Sequence, residues 1–192
     1  MDCQMKITII TPTIQRDSLI KCCESVNTQT YRNWEHWIVV DLPKKEIDFA
    51  KLQLTMHQNR HYLYCDTRHN DYGHTCTRNV WEKVTGEVVW RLDDDNALSR
   101  PDALEDIIKM TADWGIFPIM REGQRFFNDP PKQGHIDTGN VVVKREFARW
   151  TESTRYEADW DFIEQLMINH PNYQSFPDIE PIMILPVINR GN

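Results

Sequence analysis

The sequence has no apolar run long enough to cross a membrane. Its longest, residues 182–188, contains Pro186 and falls far short of the roughly 20 residues a span requires. No charged-then-apolar leader opens the chain, because residues 1–6 are short and polar ahead of the first apolar segment. Cysteine pairing patterns are missing too. The five cysteines, Cys3, Cys22, Cys23, Cys65 and Cys76, are odd in number and form no C-x-x-C pair. That weighs against a disulfide framework or a structural zinc site and favours a reducing compartment. Positive charge is scarce: the net charge of −7 argues against a nucleic-acid partner, which needs clustered Lys and Arg. Internal repeats and low-complexity tracts are absent. These absences predict a soluble, cytoplasmic protein with no transmembrane segment.

What is present suffices for one domain with a buried core, at 192 residues. Residues 7–10 read as a strand, followed by the turn-forming Thr11-Pro12-Thr13. Asp17 is placed to cap a helix whose apolar positions Leu19, Cys22, Cys23 and Val26 recur at helical spacing. Residues 36–40 form a second strand ending at Asp41, 47–56 suggest a short helix, and 61–65 form a third strand. A polar loop with Gly73 leads to a helix over 76–84, closed by Gly86 as a C-cap. Residues 87–92 then make a strand that runs straight into Asp93. Alternating strands and helices predict a parallel α/β sheet, in which ligands bind beyond the carboxyl ends of the strands.

After Asn96 the texture changes. A helix runs from Pro101 to Met110, a strand over 114–120, a mobile loop over 122–135 and a short strand over 140–143. A helix over 158–169 and a last strand over 182–188 complete the reading.

Asp93, Asp94 and Asp95 follow a buried-looking strand, and three adjacent carboxylates repel one another unless a cation relieves them. Mg²⁺ or Mn²⁺ prefers such hard oxygen ligands. It would also reconcile an acidic protein with an anionic substrate, neutralising a diphosphate as it leaves. The plainer alternative is an exposed acidic turn ahead of the helix at Pro101.

The surrounding residues resemble the GT-A glycosyltransferases of family 2. Residues 7–16 (ITIITPTIQR) are similar to the family's opening strand and loop. Gln29 to Glu35 (QTYRNWE) with Ile38-Val39-Val40-Asp41 resemble its second block. Gly73, Arg78-Asn79, Gly86-Glu87 and Leu92-Asp93-Asp94-Asp95-Asn96 resemble its third. The resemblance implies a single Rossmann-like domain with a mixed, mainly parallel sheet flanked by helices. Its nucleotide-sugar-binding half would be residues 1–98, and its acceptor and catalytic-base half residues 99–192. Donor binding would fall to Thr11, Pro12 and Thr13, to Asp41 at the base or ribose, to Arg78 at the phosphates or sugar, and to Asp93 and Asp94. Asp93 and Asp95 would be the outer carboxylates of a D-x-D motif and hold the metal, Asp95 most directly. Leu42 follows Asp41 where the family commonly has a second aspartate, which leaves base specificity open.

Inverting sugar transfer needs a carboxylate to take the proton of the acceptor hydroxyl. The segment Glu157-Ala158-Asp159 resembles the family's Glu-Asp signature with Ala158 in the Glu position, which implies Asp159 as base. Helical spacing reaches the same residue, since Asp159 shares a face with Phe162, Ile163, Leu166 and Met167. A helix-capping role for Asp159 is the alternative. Asp137-Thr138-Gly139-Asn140 resembles the acceptor-side loop, with Asp137, Gly139 and Asn140 as its candidates, and the aromatic pair Phe126-Phe127 is placed to touch an acceptor.

These readings converge on a metal-dependent glycosyltransferase moving a sugar, UDP-linked by preference, to a carbohydrate or other hydroxyl acceptor. A retaining transferase, a nucleotidyltransferase and a non-catalytic nucleotide-sugar or carbohydrate-binding module are the alternatives. The nucleotidyltransferase lacks its expected glycine-rich basic loop, because residues 11–16 contain no glycine. The chain is short after the base helix, which fits a small or extended acceptor or a site completed in a homo-oligomer.

Overall fold

Ile7, Ile9 and Ile10 point to both faces of one strand, and all three are fully buried. A strand covered on both faces reads as a continuous apolar run, and this one is central: β1 (Ile7–Thr13) pairs in parallel with β2 (Trp34–Val40) and with β4 (Val88–Arg91), Ile7 lying opposite both Trp34 and Val88. β3 (Arg60–Tyr64) adds in parallel to β2. On the far side β4 meets β9 (Val141–Lys144), which runs antiparallel both to it and to β6 (Trp114–Ile116); β10 (Tyr173–Ser175) closes that edge in parallel with β6. The order is β10-β6-β9-β4-β1-β2-β3, a mixed and mainly parallel sheet. The computed structural model describes residues 4–153, 155 and 157–185.

Helices cover the sheet where their apolar stripes fit. α1 (Ser18–Asn27) buries Leu19, Cys22, Cys23 and Val26, the positions its periodicity predicts. Asp17 precedes it but makes no capping bond; its carboxylate takes the ammonium of Lys51. α2 (Phe49–Leu54) is capped by Asp48, which accepts from Lys51 N at 3.0 Å. α5 (Ala158–Asn169) presses Phe162, Ile163 and Leu166 against Trp114, Ile116, Val141 and Val143.

Several expectations are corrected. The helix expected over 76–84 is α3 (His74–Val80) followed by a 3₁₀ turn (Trp81–Lys83), so Gly86 is no C-cap. Gly86 is instead needed for close approach, because a Cβ there would lie 2.6 Å from Thr8 N and Oγ1. The helix expected from Pro101 is shorter, α4 (Ala103–Ile107). The single strand over 114–120 divides: β6 stays in the main sheet, and beyond Phe117-Pro118 the chain enters β7 (Ile119–Arg121) of a second sheet. That sheet, ordered β5-β11-β7-β8, also contains β5 (Ala97–Leu98), β8 (Gln124–Phe126) and β11 (Met183–Leu185). The expected loop over 122–135 thus opens with a strand hairpinned to β7. Residue 140 belongs to a 3₁₀ turn (Thr138–Asn140) rather than to β9. Of the strand expected over 182–188, residues 186–188 lie outside the described residues.

Candidate active site

The carboxyl ends of β1, β2 and β4 open on one cleft of about 760 Å³, delivering Pro12 and Thr13, Asp41, and the run from Asp93 to Asn96. The second half of the chain supplies further lining: Arg121 at the end of β7, Asp137 to Gly139 ahead of β9, and Asp159 and Trp160 in the first turn of α5. Gly73, ahead of α3, sits against Pro12 with φ +82°, and a Cβ there would come within 2.5 Å of the proline ring. Left-handed backbone and close contact together require glycine at that point.

The three aspartates after β4 turn different ways. Asp94 is buried and accepts from Thr13 Oγ1 at 2.5 Å and from Arg16 Nη1 at 2.9 Å. Burial pushes its carboxyl up to about 6, with Thr13 and Arg16 opposing and the charges of Asp95 and Asp93 adding to the rise. Asp95 accepts from the same Arg16 Nη1 at 2.8 Å; burial and the charge of Asp93 raise it. Asp93 accepts from Arg91 Nε at 2.8 Å.

Arg91 is the last residue of β4 and is buried. Burial disfavours its charge, but the charges of Asp93 and Asp159 outweigh that and raise its pKa. Its guanidinium donates to the Tyr72 carbonyl, stands 3.4 Å from Asp159 Oδ1 and lies over the Trp150 ring at 5.3 Å. Arg91 Nη1 and Trp150 Nε1 both point at His74 Nδ1, at 3.3 and 3.2 Å, which places the ring proton on Nε2. His74 stays neutral at pH 7 because burial and the charge of Arg91 lower it to about 4. Its 3.9 Å approach to Asp159 is therefore not an ion pair.

Asp159 is raised by desolvation, with Arg91 opposing and Asp93 adding. About a third of its side chain remains exposed, on the side that faces the cleft. Asp137 is pushed up to about 6 by burial and by the charge of Asp159, although Gly139 N donates to it at 2.8 Å. Two carboxyls with raised proton affinity thus stand beside one that is paired with arginine.

The other residues singled out from sequence fall in different places. Thr11 lies beneath the cleft floor, bonded to Leu92 O at 2.6 Å and His36 Nε2 at 2.8 Å. Asn140 is buried; its amide donates to Phe117 O and Phe126 O, and its carbonyl takes Asp137 N. Arg78 does not line the cleft. Its guanidinium holds the backbone at Thr151 and Ser153 and the hydroxyl of Thr75. Phe126 and Phe127 pack against the hydrophobic clusters rather than into the cleft. Arg91, Arg16 and His74 were not singled out from sequence. The signal for Arg91 was a lone charge inside the apolar strand Val88-Val89-Trp90-Arg91-Leu92.

The donor set suits a hard divalent ion. Asp93 and Asp95 offer carboxylate oxygens at the cleft, the hard ligands that such an ion takes. The three aspartates do not converge on one point, since Asp93 turns to Arg91 and the others to Arg16. Oxygens from a bound diphosphate would complete such a shell.

A mainly parallel sheet whose strand ends gather an acidic run, faced across one cleft by a helix-borne carboxylate, is the layout of the GT-A fold. The chain belongs to glycosyl transferase family 2, whose model matches residues 8–135. Among solved structures it is similar to S. aureus TarS 1-349, with a TM-score of 0.76, 13% identity, and coverage of 94% of this chain and 60% of that one. The same protein in complex with UDP-GlcNAc gives a TM-score of 0.75, 14% identity and coverage of 94% and 58%. The mannosyltransferase PcManGT from Pyrobaculum calidifontis, in complex with GDP-Man and Mn²⁺, gives 0.73, 18% identity and coverage of 99% and 59%. The chain thus spans about 60% of these neighbours' length. No curated protein matches it in sequence. Among the described residues no helix is long and apolar enough to cross a membrane.

Proposed function

We propose that this chain transfers a sugar from a nucleotide-diphosphate donor, UDP-linked by preference, to an acceptor hydroxyl with inversion at the anomeric carbon. The observation that carries this reading is the position of Asp159: it lies in the same cleft as Asp93 and is joined to it through Arg91. Asp159 takes the proton of the acceptor hydroxyl as that oxygen attacks the anomeric carbon and the bond to the diphosphate breaks. Burial raises its proton affinity above that of an ordinary carboxylate, the direction a general base needs. Asp93 and Asp95 would hold Mn²⁺ or Mg²⁺, which when bound neutralises the departing diphosphate. Pro12, Thr13 and Asp41 would face the nucleoside, and Asp94, fixed by Thr13 and Arg16, the ribose or sugar. Residues 1–98 would supply the donor half and 99–192 the acceptor half, with Asp137 and Gly139 on the acceptor side. TarS binding UDP-GlcNAc and PcManGT binding GDP-Man with Mn²⁺ support donor chemistry of this kind.

The test is release of nucleoside diphosphate from a panel of UDP-, GDP- and dTDP-sugars, with Mn²⁺, Mg²⁺ or EDTA. Metal-dependent release from a UDP-sugar is expected. No release from any donor, together with no donor binding by calorimetry, would overturn the proposal.

A further inference from the structure

Behind the donor end of the cleft, four side chains from three elements converge. Asp41 follows β2, Cys65 follows β3, His69 lies in the loop to α3, and Cys76 is on the first turns of α3. One ligand atom from each lies within 4.8 Å of all the others. The thiols of Cys65 and Cys76 are 3.4 Å apart, and Asp41 Oδ1 is 2.6 Å from His69 Nδ1. All the charge-bearing groups that touch one another here are potential metal ligands, and no lysine or arginine bonds to any of the four side chains among the described residues.

We propose that Asp41, Cys65, His69 and Cys76 form a four-coordinate site for a thiophilic divalent ion, with Zn²⁺ as its occupant, separate from the hard-ion position at Asp93 and Asp95. The inference rests on these four side chains and not on the transferase reading. Two thiolates, an imidazole and a carboxylate are the ligand types that select zinc over magnesium or manganese. Zn–S bonds of about 2.3 Å in a tetrahedron set two sulfurs about 3.7 Å apart, so the observed 3.4 Å needs only a small separation. A disulfide at about 2.05 Å would need a closure of more than 1 Å and would leave the converging Asp41 and His69 unexplained. Binding releases the two thiol protons to solvent, moves the imidazole proton of His69 from Nδ1 to Nε2, and replaces the Asp41–His69 hydrogen bond with two metal bonds. The product is balanced: two thiolates and a carboxylate against a doubly charged ion leave one net negative charge.

The site would pin the β3–α3 loop. That loop turns through left-handed backbone at Asp66, Asn70, Tyr72 and Gly73, with φ of 61°, 55°, 57° and 82°, a conformation that tyrosine seldom adopts. It also carries Arg68 and Asn70 into the lining of the cleft. An ion held at both ends and the middle of the loop fixes that wall. A single oxygen of Asp41 would serve the ion, while the second accepts from His69 N at 3.3 Å.

The test uses the full chain, purified under a non-chelating reductant and titrated with Co²⁺ as the spectroscopic probe. Expected is one equivalent bound with thiolate-to-cobalt charge transfer in the near ultraviolet, displaced by Zn²⁺. The band should persist in D93N/D95N, which removes the hard-ion position, and vanish in C65S and in C76S. In the unmodified protein, Zn²⁺ should slow alkylation of the half-buried Cys65, read by peptide mass spectrometry, at least tenfold; this arm needs no variant to fold. No charge-transfer band, alkylation unaffected by Zn²⁺, or a band that survives in C65S/C76S would each overturn the proposal. A chain isolated with a Cys65–Cys76 disulfide that binds no Co²⁺ after reduction would overturn it in favour of a redox pair.

Discussion

Asp93 and Asp159 share one guanidinium: Arg91 reaches Asp93 Oδ1 at 2.8 Å through Nε and Asp159 Oδ1 at 3.4 Å through Nη1. Asp93 follows the end of β4, and Asp159 lies in the first turn of α5. Because the arginine is buried and stacked over Trp150, its position is fixed by packing as well as by charge. It joins the two carboxylates and opposes the rise that burial gives Asp159.

Replacing Asp159 by Asn keeps the shape and removes the base. Turnover is expected to fall by about 10²- to 10⁴-fold, while the Kd for donor, measured by calorimetry, stays within about twofold. A variant with the parent rate would show that the base lies elsewhere.

Removing the charge of Arg91, as in Arg91→Met, deprives Asp159 of the group that opposes its rise. The acid limb of the kcat/KM profile should therefore move to higher pH, and Arg91→Lys should move it back in part. Both carboxylates are more than a third exposed, so solvent screens the two charges left behind. An acid limb that does not move would separate Arg91 from the base.

Stability should pass through a maximum on the acid side of neutrality. Asp94 and Asp137 are raised to about 6 in the fold, above about 3.9 when unfolded. The native state then binds the proton more tightly, so stability falls as pH rises from about 4 through about 6. Glu35 has the opposite sign. Burial would raise it, but hydrogen bonds from Thr8, Thr85 and Lys6 prevail and hold it at about 2. Its contribution is present above its unfolded value of about 4.3 and lost as pH falls toward 2. Tm should peak near pH 4, and Asp94→Asn should raise it at pH 7.5 by relieving on the order of 2 kcal/mol, with a smaller gain at pH 5 and little change at pH 4. A Tm profile that rises steadily from pH 5 to 8 would contradict this.

At Gly86 an added methyl meets the backbone of β1 at Thr8. Gly86→Ala should push β1 and β4 apart, cost about 1–3 kcal/mol and lower Tm by several degrees, whereas the open position Gly123→Ala tests only the loss of left-handed backbone. Equal melting points for Gly86→Ala and the parent would mean that the junction of β1 and β4 is looser than the structure shows.

Legibility in the sequence followed physical range. β1, β2 and β4 could be read because strands buried on both faces leave continuous apolar runs, and α1 because its apolar residues recur on one face. The inward face of α5 was equally visible: Phe162, Ile163 and Leu166 are buried, and Glu164 and Gln165 are exposed. The division at Phe117-Pro118 was not visible. Residues 114–120 are apolar throughout, and nothing local says that the chain changes sheets. Arg91 was hidden because its partners, Asp159 and His74, come from distant elements. The same holds for Cys65 and Cys76, which no spacing rule joins and which meet only because β2, β3 and α3 are neighbours. Asn140 was read as a strand residue near an acceptor, yet its amide ties two sheets together by bonding Phe117 O and Phe126 O.

The reversal of β9 between β4 and β6 means that the cleft is bordered by strand ends on one side and by a strand beginning on the other. Loops of opposite chain direction therefore share one rim. Length added or lost within residues 122–135 redraws the rim where Gln133 and Gly134 stand without shifting the registers of β1, β2 or β4. That side of the cleft can therefore change shape without strain on the strand ends opposite, because the two are built on separate stretches of backbone.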